Sequence, residues 1–251
     1  MVRTNNKKDL AWLDKTVRST EGYRKVNIPT DGVTWDFSKM WDIAEPGVMY
    51  IKIDDDVLFI EDTTIPSLIK KRVELHDPYI IGANVINHAR LNWLHYKMNA
   101  IRPYLPESTT VPLPEDGSTY HWRASSLPKW SGPKEFNFQN FTVPTPHRWL
   151  PTNATSLDDT PIVLTRERRQ SQGLKNWMVG AQQHYSFLQN LERGELWRYN
   201  FTQYDFLYER MSINLICMWG DDIIAARPIP KDVEMHFTET MPKMLKRRKS
   251  M

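Results

Sequence analysis

Tyr50-Ile51-Lys52-Ile53-Asp54-Asp55-Asp56-Val57-Leu58-Phe59-Ile60 is the stretch that decides the fold. A β-branched apolar run enters three consecutive aspartates, and a second apolar run leaves them. A strand ending in carboxylates sets hard oxygen donors at the lip of a sheet. That is a place to hold a divalent cation and, through it, a phosphate. The same residues also fit a solvated acidic turn between two strands, and a motif this short does not choose between the two.

Working outward, Val48 to Ile53 reads as a strand. Thr63-Thr64-Ile65-Pro66 opens a helix, with Ile65, Leu68, Ile69 and Val73 at helical spacing, ending near His76-Asp77-Pro78. Tyr79 to Ile86 is an apolar run of buried-strand type. Strand, acidic turn, helix, strand is a βαβ signature, and it predicts an α/β fold with a mostly parallel central sheet flanked by helices. Before it, residues 9–20 form an amphipathic helix with Leu10, Leu13 and Val17 on one side. Asp31-Gly32-Val33-Thr34-Trp35 is a turn, and Phe37 to Ile43 a short helix that turns Met40, Trp41 and Ala44 inward.

After it, Leu91 to Ile101 reads as helical. Residues 103–161 are dense in proline, have scattered aromatics (Tyr120, Trp122, Trp130, Phe136, Phe138, Phe141, Trp149) and show no periodicity, as a long irregular insertion would. Gln182 to Leu196 predicts a helix with Phe187, Leu188 and Leu191 as its apolar face, and Trp197 to Phe201 a strand. Ser212 to Trp219 fits a buried helix or a strand. Glu209, Arg210 and Ser212 as a first turn favour the helix. The run ends in Gly220-Asp221-Asp222.

The composition sets wide bounds. The chain has 251 residues, 40% of them hydrophobic and 25% charged, enough for one domain with a real core. The net charge of +3 points to no nucleic-acid partner, although Lys243, Lys246, Arg247, Arg248 and Lys249 make 243–251 a basic tail. The single cysteine, Cys217, excludes an intramolecular disulfide and a cysteine-based zinc site. The first residues lack the apolar core of a signal peptide, and no run is long enough to span a membrane. Asn140, Asn153 and Asn200 head glycosylation sequons, which matter only in the secretory pathway.

Two acidic clusters therefore stand at the ends of apolar elements, Asp54-Asp55-Asp56 and Asp221-Asp222. A metal-dependent group transfer uses both kinds. One holds Mg²⁺ or Mn²⁺ against a phosphate, and the other supplies a base for an acceptor hydroxyl. On an extended segment Asp54 and Asp56 point the same way and Asp55 the other. Several stretches then resemble one family: Tyr50 to Val57, Ala83-Asn84-Val85-Ile86-Asn87, Trp93-Leu94-His95-Tyr96, Ala100 to Pro106, His184 to Leu188, and Met211 to Asp222. Together they are similar to a group of fungal proteins regarded as glycosyltransferases with a GT-A-type fold, over about Tyr50 to Pro242.

The resemblance implies a single domain, a nucleotide-sugar donor, a hydroxyl acceptor and a divalent metal, and it allows a secretory-pathway location. Carried over, Asp56 and Asp54 bind the metal, and Asp54, Asp55 and Asn84 lie on the donor side. Asp222, with Asp221, is the acceptor-side acid. Trp93, His95, His184 and Trp219, with Trp122 as a further stacking candidate, line the sugar or acceptor pocket. Asn87 and Arg102 are further polar candidates, Arg102 more readily as a salt bridge. Two departures count against activity. Only 53 residues precede Asp54, with no phosphate-type Gly-rich turn among them, and the only histidine after Asp222 is His236. Relative to the family the chain reads as truncated at both ends. The alternatives are a catalytically inactive scaffold acting as a binding or interaction protein, and a phosphotransferase or nuclease using the same aspartates.

Overall fold

The computed structural model describes residues 2, 4, 6–28, 36–88, 90–108, 123–142, 148–166 and 176–251. The expected turn at 31–35 and the aromatics Tyr120 and Trp122 lie outside them. In chain order, helix α1 (Lys7–Ser19) leads through a 3₁₀ turn (Ser38–Ile43) into strand β1 (Met49–Ile53). Helix α2 (Thr64–Glu74), strand β2 (Ile80–Gly82), helix α3 (Leu91–Lys97) and strand β3 (Tyr104–Pro106) follow. Next come strand β4 (Trp149–Pro151), helix α4 (Trp177–Glu192), and strands β5 (Asp205–Leu207) and β6 (Leu215–Trp219). Helix α5 (Gly220–Ala225), the short α6 (Val233–Met235), a π-helical turn (His236–Thr240), α7 (Met241–Leu245) and strand β7 (Lys249–Ser250) end the chain. The chain divides into two compact units, residues 1–83 with 205–251, and residues 84–204.

The first unit holds a five-stranded sheet in the order β1-β6-β2-β7-β5. The expected βαβ unit is present in a split form. β1 and β2 both run antiparallel to β6, so they are parallel to each other, and β6 sits between them. β7 joins β2 in parallel and β5 joins β7 antiparallel. The sheet is therefore mixed and mostly antiparallel, which corrects the expectation of a mostly parallel one. Local pattern fixed the direction of β1 and β2, but a strand arriving from 130 residues later in the chain was free to slot between them.

β6 is the run that fitted helix or strand, and the helical preference for Ser212 to Trp219 is overturned. Leu215, Ile216, Cys217 and Met218 are all buried. A central strand covered on both faces is apolar on both, so its sequence loses the alternation that marks a half-buried strand. The expected basic tail at 243–251 is also corrected. β7 puts Lys249 at 0% exposure, its Nζ donating to the Leu207 carbonyl at 3.1 Å and to the Thr238 carbonyl. Four residues after Thr238 stands Pro242, which has no N–H to give that carbonyl and so leaves it to an outside donor.

In the second unit, described residues of the proline- and aromatic-rich region take part in the core. β3 and β4 pair antiparallel, and Tyr104, Phe138, Trp149 and Met178 close into one cluster. The residues expected as a strand at 197–201 form a 3₁₀ turn (Leu196–Tyr199). α4 buries a different face from the one expected. Gln182, Gln183, Ser186 and Asn190 are at 0% exposure, while Phe187, Leu188 and Leu191 are half-buried. The polar stripe satisfies backbone groups of irregular chain that has no ladder of its own. Gln182 accepts from Ile162 N–H at 2.8 Å and donates to the Arg102 carbonyl at 3.1 Å. Ser186 Oγ accepts from Arg102 N–H at 2.8 Å, and Asn190 donates to the Ala100 carbonyl at 2.8 Å.

Candidate functional site

β1 ends at Ile53 and the chain turns at once, Val57 N–H reaching the Asp54 carbonyl at 3.3 Å. Asp54 N–H donates to the Asn214 carbonyl at 2.8 Å, which ties the turn to the start of β6. The Asp54 carboxylate is already engaged. One oxygen takes the Lys52 ammonium and the other accepts from Asn214 Nδ2 at 3.2 Å, while Lys52 also donates to the Ile213 carbonyl at 2.8 Å. Asp55 and Asp56 are exposed, and neither side chain makes a hydrogen bond or ion pair with another described residue.

Asp54 in this arrangement anchors the turn, and Asp55 and Asp56 are its two open carboxylates. Among the described residues no three His, Cys, Asp or Glu side chains converge as a complete metal cage. Carboxylates are the hard donors that Mg²⁺ or Mn²⁺ takes, and Asp55 and Asp56 are the residues that could hold such an ion, the other positions going to water and a ligand phosphate.

Asp221 and Asp222 open α5, directly after β6. Acidic side chains in a first turn suit the unpaired N–H groups there. Asp221 instead reaches out of the helix and accepts from Gly47 N–H at 2.8 Å. Gly220 is required at the junction, because a Cβ there would lie 2.0 Å from the Glu45 carbonyl oxygen.

Asp222 is 15% exposed and clamped between two arginines. Arg72 from α2, itself 1% exposed, donates to Oδ2 at 3.0 Å. Arg247 donates to Oδ1 at 2.5 Å and to Oδ2 at 3.3 Å. Both guanidiniums lie over aromatic rings, Arg72 over Trp219 at 5.9 Å and Arg247 over Tyr79 at 5.6 Å. Burial pushes the Arg72 guanidinium below its ordinary pKa, and Asp222 opposes that shift. The Tyr79 hydroxyl is held above its usual value, first by burial and then by the Asp222 charge. Arg247 also donates to the carbonyls of His76, Asp77 and Pro78, so the cluster ties the end of α2 to the C-terminal segment. Three guanidinium N–H donors thus take three of the roughly four lone-pair sites of the Asp222 carboxylate, which commits it to the ion-pair cluster.

The two acidic clusters are not brought together. β1 and β6 pair over Met49↔Trp219 to Ile53↔Leu215. Asp54 leaves the Leu215 end, and Asp221 leaves the Trp219 end. The five paired residues put about 13 Å of ladder between those ends. The expectation of a metal aspartate facing Asp222 as base did not include β6 running antiparallel to β1.

The sugar-pocket candidates divide between the units. Trp219, in the first, is the ring under Arg72. Asn84, Trp93, His95 and His184 belong to the second. His95 is at 0% exposure, and its Nε2 lies 2.7 Å from Asn84 Oδ1. Asn84 Nδ2 donates to the Tyr199 carbonyl at 2.8 Å, so the pair is a core junction. Burial drives His95 down to about 4, and the nearby His88 adds to the shift. Trp93 is half-buried and His184 exposed. Asn87 holds a left-handed φ of 65° and donates its N–H to Gln183 Oε1 at 3.3 Å. Arg102 forms the salt bridge expected of it, with Glu195, and His236 Nε2 meets the Ala226 carbonyl at 2.8 Å.

Sequence reasoning missed Arg72, Arg247 and Lys52 as the partners of the two clusters. Lys52 was legible as the i−2 neighbour of Asp54 on one strand face. Arg72 and Arg247 lie 150 and 25 residues from Asp222 and carried no local signal. Among the described residues no helix is long and apolar enough to cross a membrane. Comparison with protein-family models, with curated proteins and with solved structures matches the chain to none of them.

Proposed function

We propose that this chain is a glycosyltransferase-type α/β protein in which the Asp54–Asp56 turn takes Mn²⁺ or Mg²⁺ and, through it, the diphosphate of a nucleotide sugar. One observation carries the reading: two open carboxylates, Asp55 and Asp56, stand at the carboxyl end of β1 in a split βαβ unit. In parallel α/β sheets ligands bind outside the carboxyl ends of the strands, and here that rule reaches only the mutually parallel β1 and β2 of a mixed sheet. The cation would supply charge neutralisation for the leaving diphosphate. The residues of this chain would do the positioning: Lys52 and Asn214 fix Asp54, and Asp54 fixes the turn that presents the other two. Asp222 is given a structural part, not that of the base. Calorimetric titration with nucleotide sugars, with and without Mn²⁺, tests the reading. Binding that needs Mn²⁺ and is lost in Asp56→Ala supports it, and metal-independent or absent binding refutes it.

A second reading has its own observation. The Arg72–Asp222–Arg247 clamp and the separation of the acidic clusters along β1 and β6 favour a scaffold that binds without turnover. Metal-dependent binding with no transfer to any hydroxyl acceptor would select it over the enzyme. Turnover of phosphate esters without a sugar donor would select a phosphotransferase or nuclease instead.

A further inference from the structure

The hydrogen bonds around His95 do not close with the side chains alone. Asn84 Nδ2 donates to the Tyr199 carbonyl, which turns Asn84 Oδ1 toward His95 Nε2 at 2.7 Å. His95 must therefore donate from Nε2. In a neutral ring Nδ1 is then a lone pair that needs a donor. What it meets is Gln183 Oε1 at 3.5 Å, and that oxygen is already fixed as an acceptor by Asn87 N–H. Acceptor faces acceptor. Turning the Gln183 amide over would only move the conflict to the Asn87 N–H.

Three more polar atoms are buried and have no partner among the described residues: Gln183 Nε2, and both Nδ2 and Oδ1 of Asn92. Asn92 sits three residues before His95, on the same face of α3. Asn92 is 1% exposed, and His95 and Gln183 are at 0%. An unpaired buried polar group destabilises the fold, because it has given up water and gained nothing. Buried polar groups in a native core are nearly all paired, so the mismatched acceptor and the three orphaned atoms each call for a partner.

We propose that this junction is an internal hydration site. One or two water molecules donate to His95 Nδ1 and Asn92 Oδ1, and accept from the amides of Asn92 and Gln183. A water with two to four polar partners is the ordinary occupant of such a place. It would fix His95 as the Nε2–H tautomer and lock α3 and the Asn84–His88 segment onto α4. The inference stands apart from the nucleotide-sugar reading, since it concerns a buried junction of the second unit.

The test uses the full chain, labelled with ¹⁵N and dialysed. Water-to-protein Overhauser spectra should show long-lived cross peaks from the solvent frequency to the side-chain amides of Asn92 and Gln183. Asn92→Leu, a near-isosteric change, should remove the cross peak at Gln183 and lower the melting temperature by several degrees, because a satisfied network is broken. A dry junction gives the opposite result: no cross peaks in the wild type, and a melting temperature that is unchanged or raised once the orphaned amide is replaced. Either of those findings overturns the proposal. So does an organic molecule released on denaturation and seen by mass spectrometry, which would make the occupant a ligand hydroxyl. If Asn92→Leu does not fold, the wild-type spectrum decides alone.

Discussion

Asp222→Asn separates a structural carboxylate from a catalytic one. The substitution keeps the shape of the side chain and removes its charge. It leaves Arg72, at 1% exposure, with one neutral acceptor where it had a carboxylate, and turns an NH₂ group toward one of the two guanidiniums. Breaking a buried ion pair by removing one partner costs about 3–5 kcal/mol. Arg247 is 25% exposed, so part of its charge returns to water and the lower end applies, about 3 kcal/mol. For a chain of this size that is a fall in melting temperature of roughly 6–12 °C. Circular dichroism against temperature and urea reads it directly. The triple replacement Arg72→Met, Asp222→Leu and Arg247→Leu should recover most of the loss, because apolar residues of similar volume replace a buried cluster at little cost. If Asp222→Asn leaves stability within about 0.5 kcal/mol of wild type, the clamp does not hold the fold. Loss of sugar transfer without loss of stability would restore Asp222 as the base.

Three other perturbations follow from the same geometry. Gly220→Ala places a methyl 2.0 Å from the Glu45 carbonyl oxygen. Overpacking against backbone should cost about 1–3 kcal/mol or more, seen as a lower urea midpoint. Asp56→Asn, on an exposed turn, should leave stability within about 0.5 kcal/mol while weakening Mn²⁺ binding measured by calorimetry. His95 is held neutral by burial, near 4 against an ordinary 6.5. The unfolded chain therefore binds the extra proton first, so stability is full above about pH 6.5 and falls as pH drops toward 4. The loss by pH 4 amounts to about 3 kcal/mol. His95→Gln should flatten that part of the stability profile.

Much of the local structure was legible. The strand Met49–Ile53, the acidic turn after it and the helix Thr64–Glu74 follow from apolar spacing and from Pro66 in a first turn. Pairing was not legible. β6 reads as helix or strand because both its faces are buried, and nothing in Leu215 to Trp219 says that it inserts between β1 and β2. α4 misled for a related reason. Its amphipathic pattern points Phe187, Leu188 and Leu191 inward, but the unit it packs in is irregular chain that needs donors and acceptors, and the glutamine and asparagine face supplies them. Of the site, the aspartates were visible and their partners were not. Whether a carboxylate is open to a cation or closed by an arginine depends on residues 25 to 150 positions away.

The most direct test of the account is Mn²⁺-dependent nucleotide-sugar binding, measured by calorimetry on the wild type, on the double variant Asp55→Asn with Asp56→Asn, and on Asp222→Asn at a temperature where it stays folded. The expected result is binding to the wild type only with Mn²⁺, loss in the double variant and retention in Asp222→Asn. Binding that survives the double variant, or that vanishes with Asp222 alone in a folded protein, would contradict it.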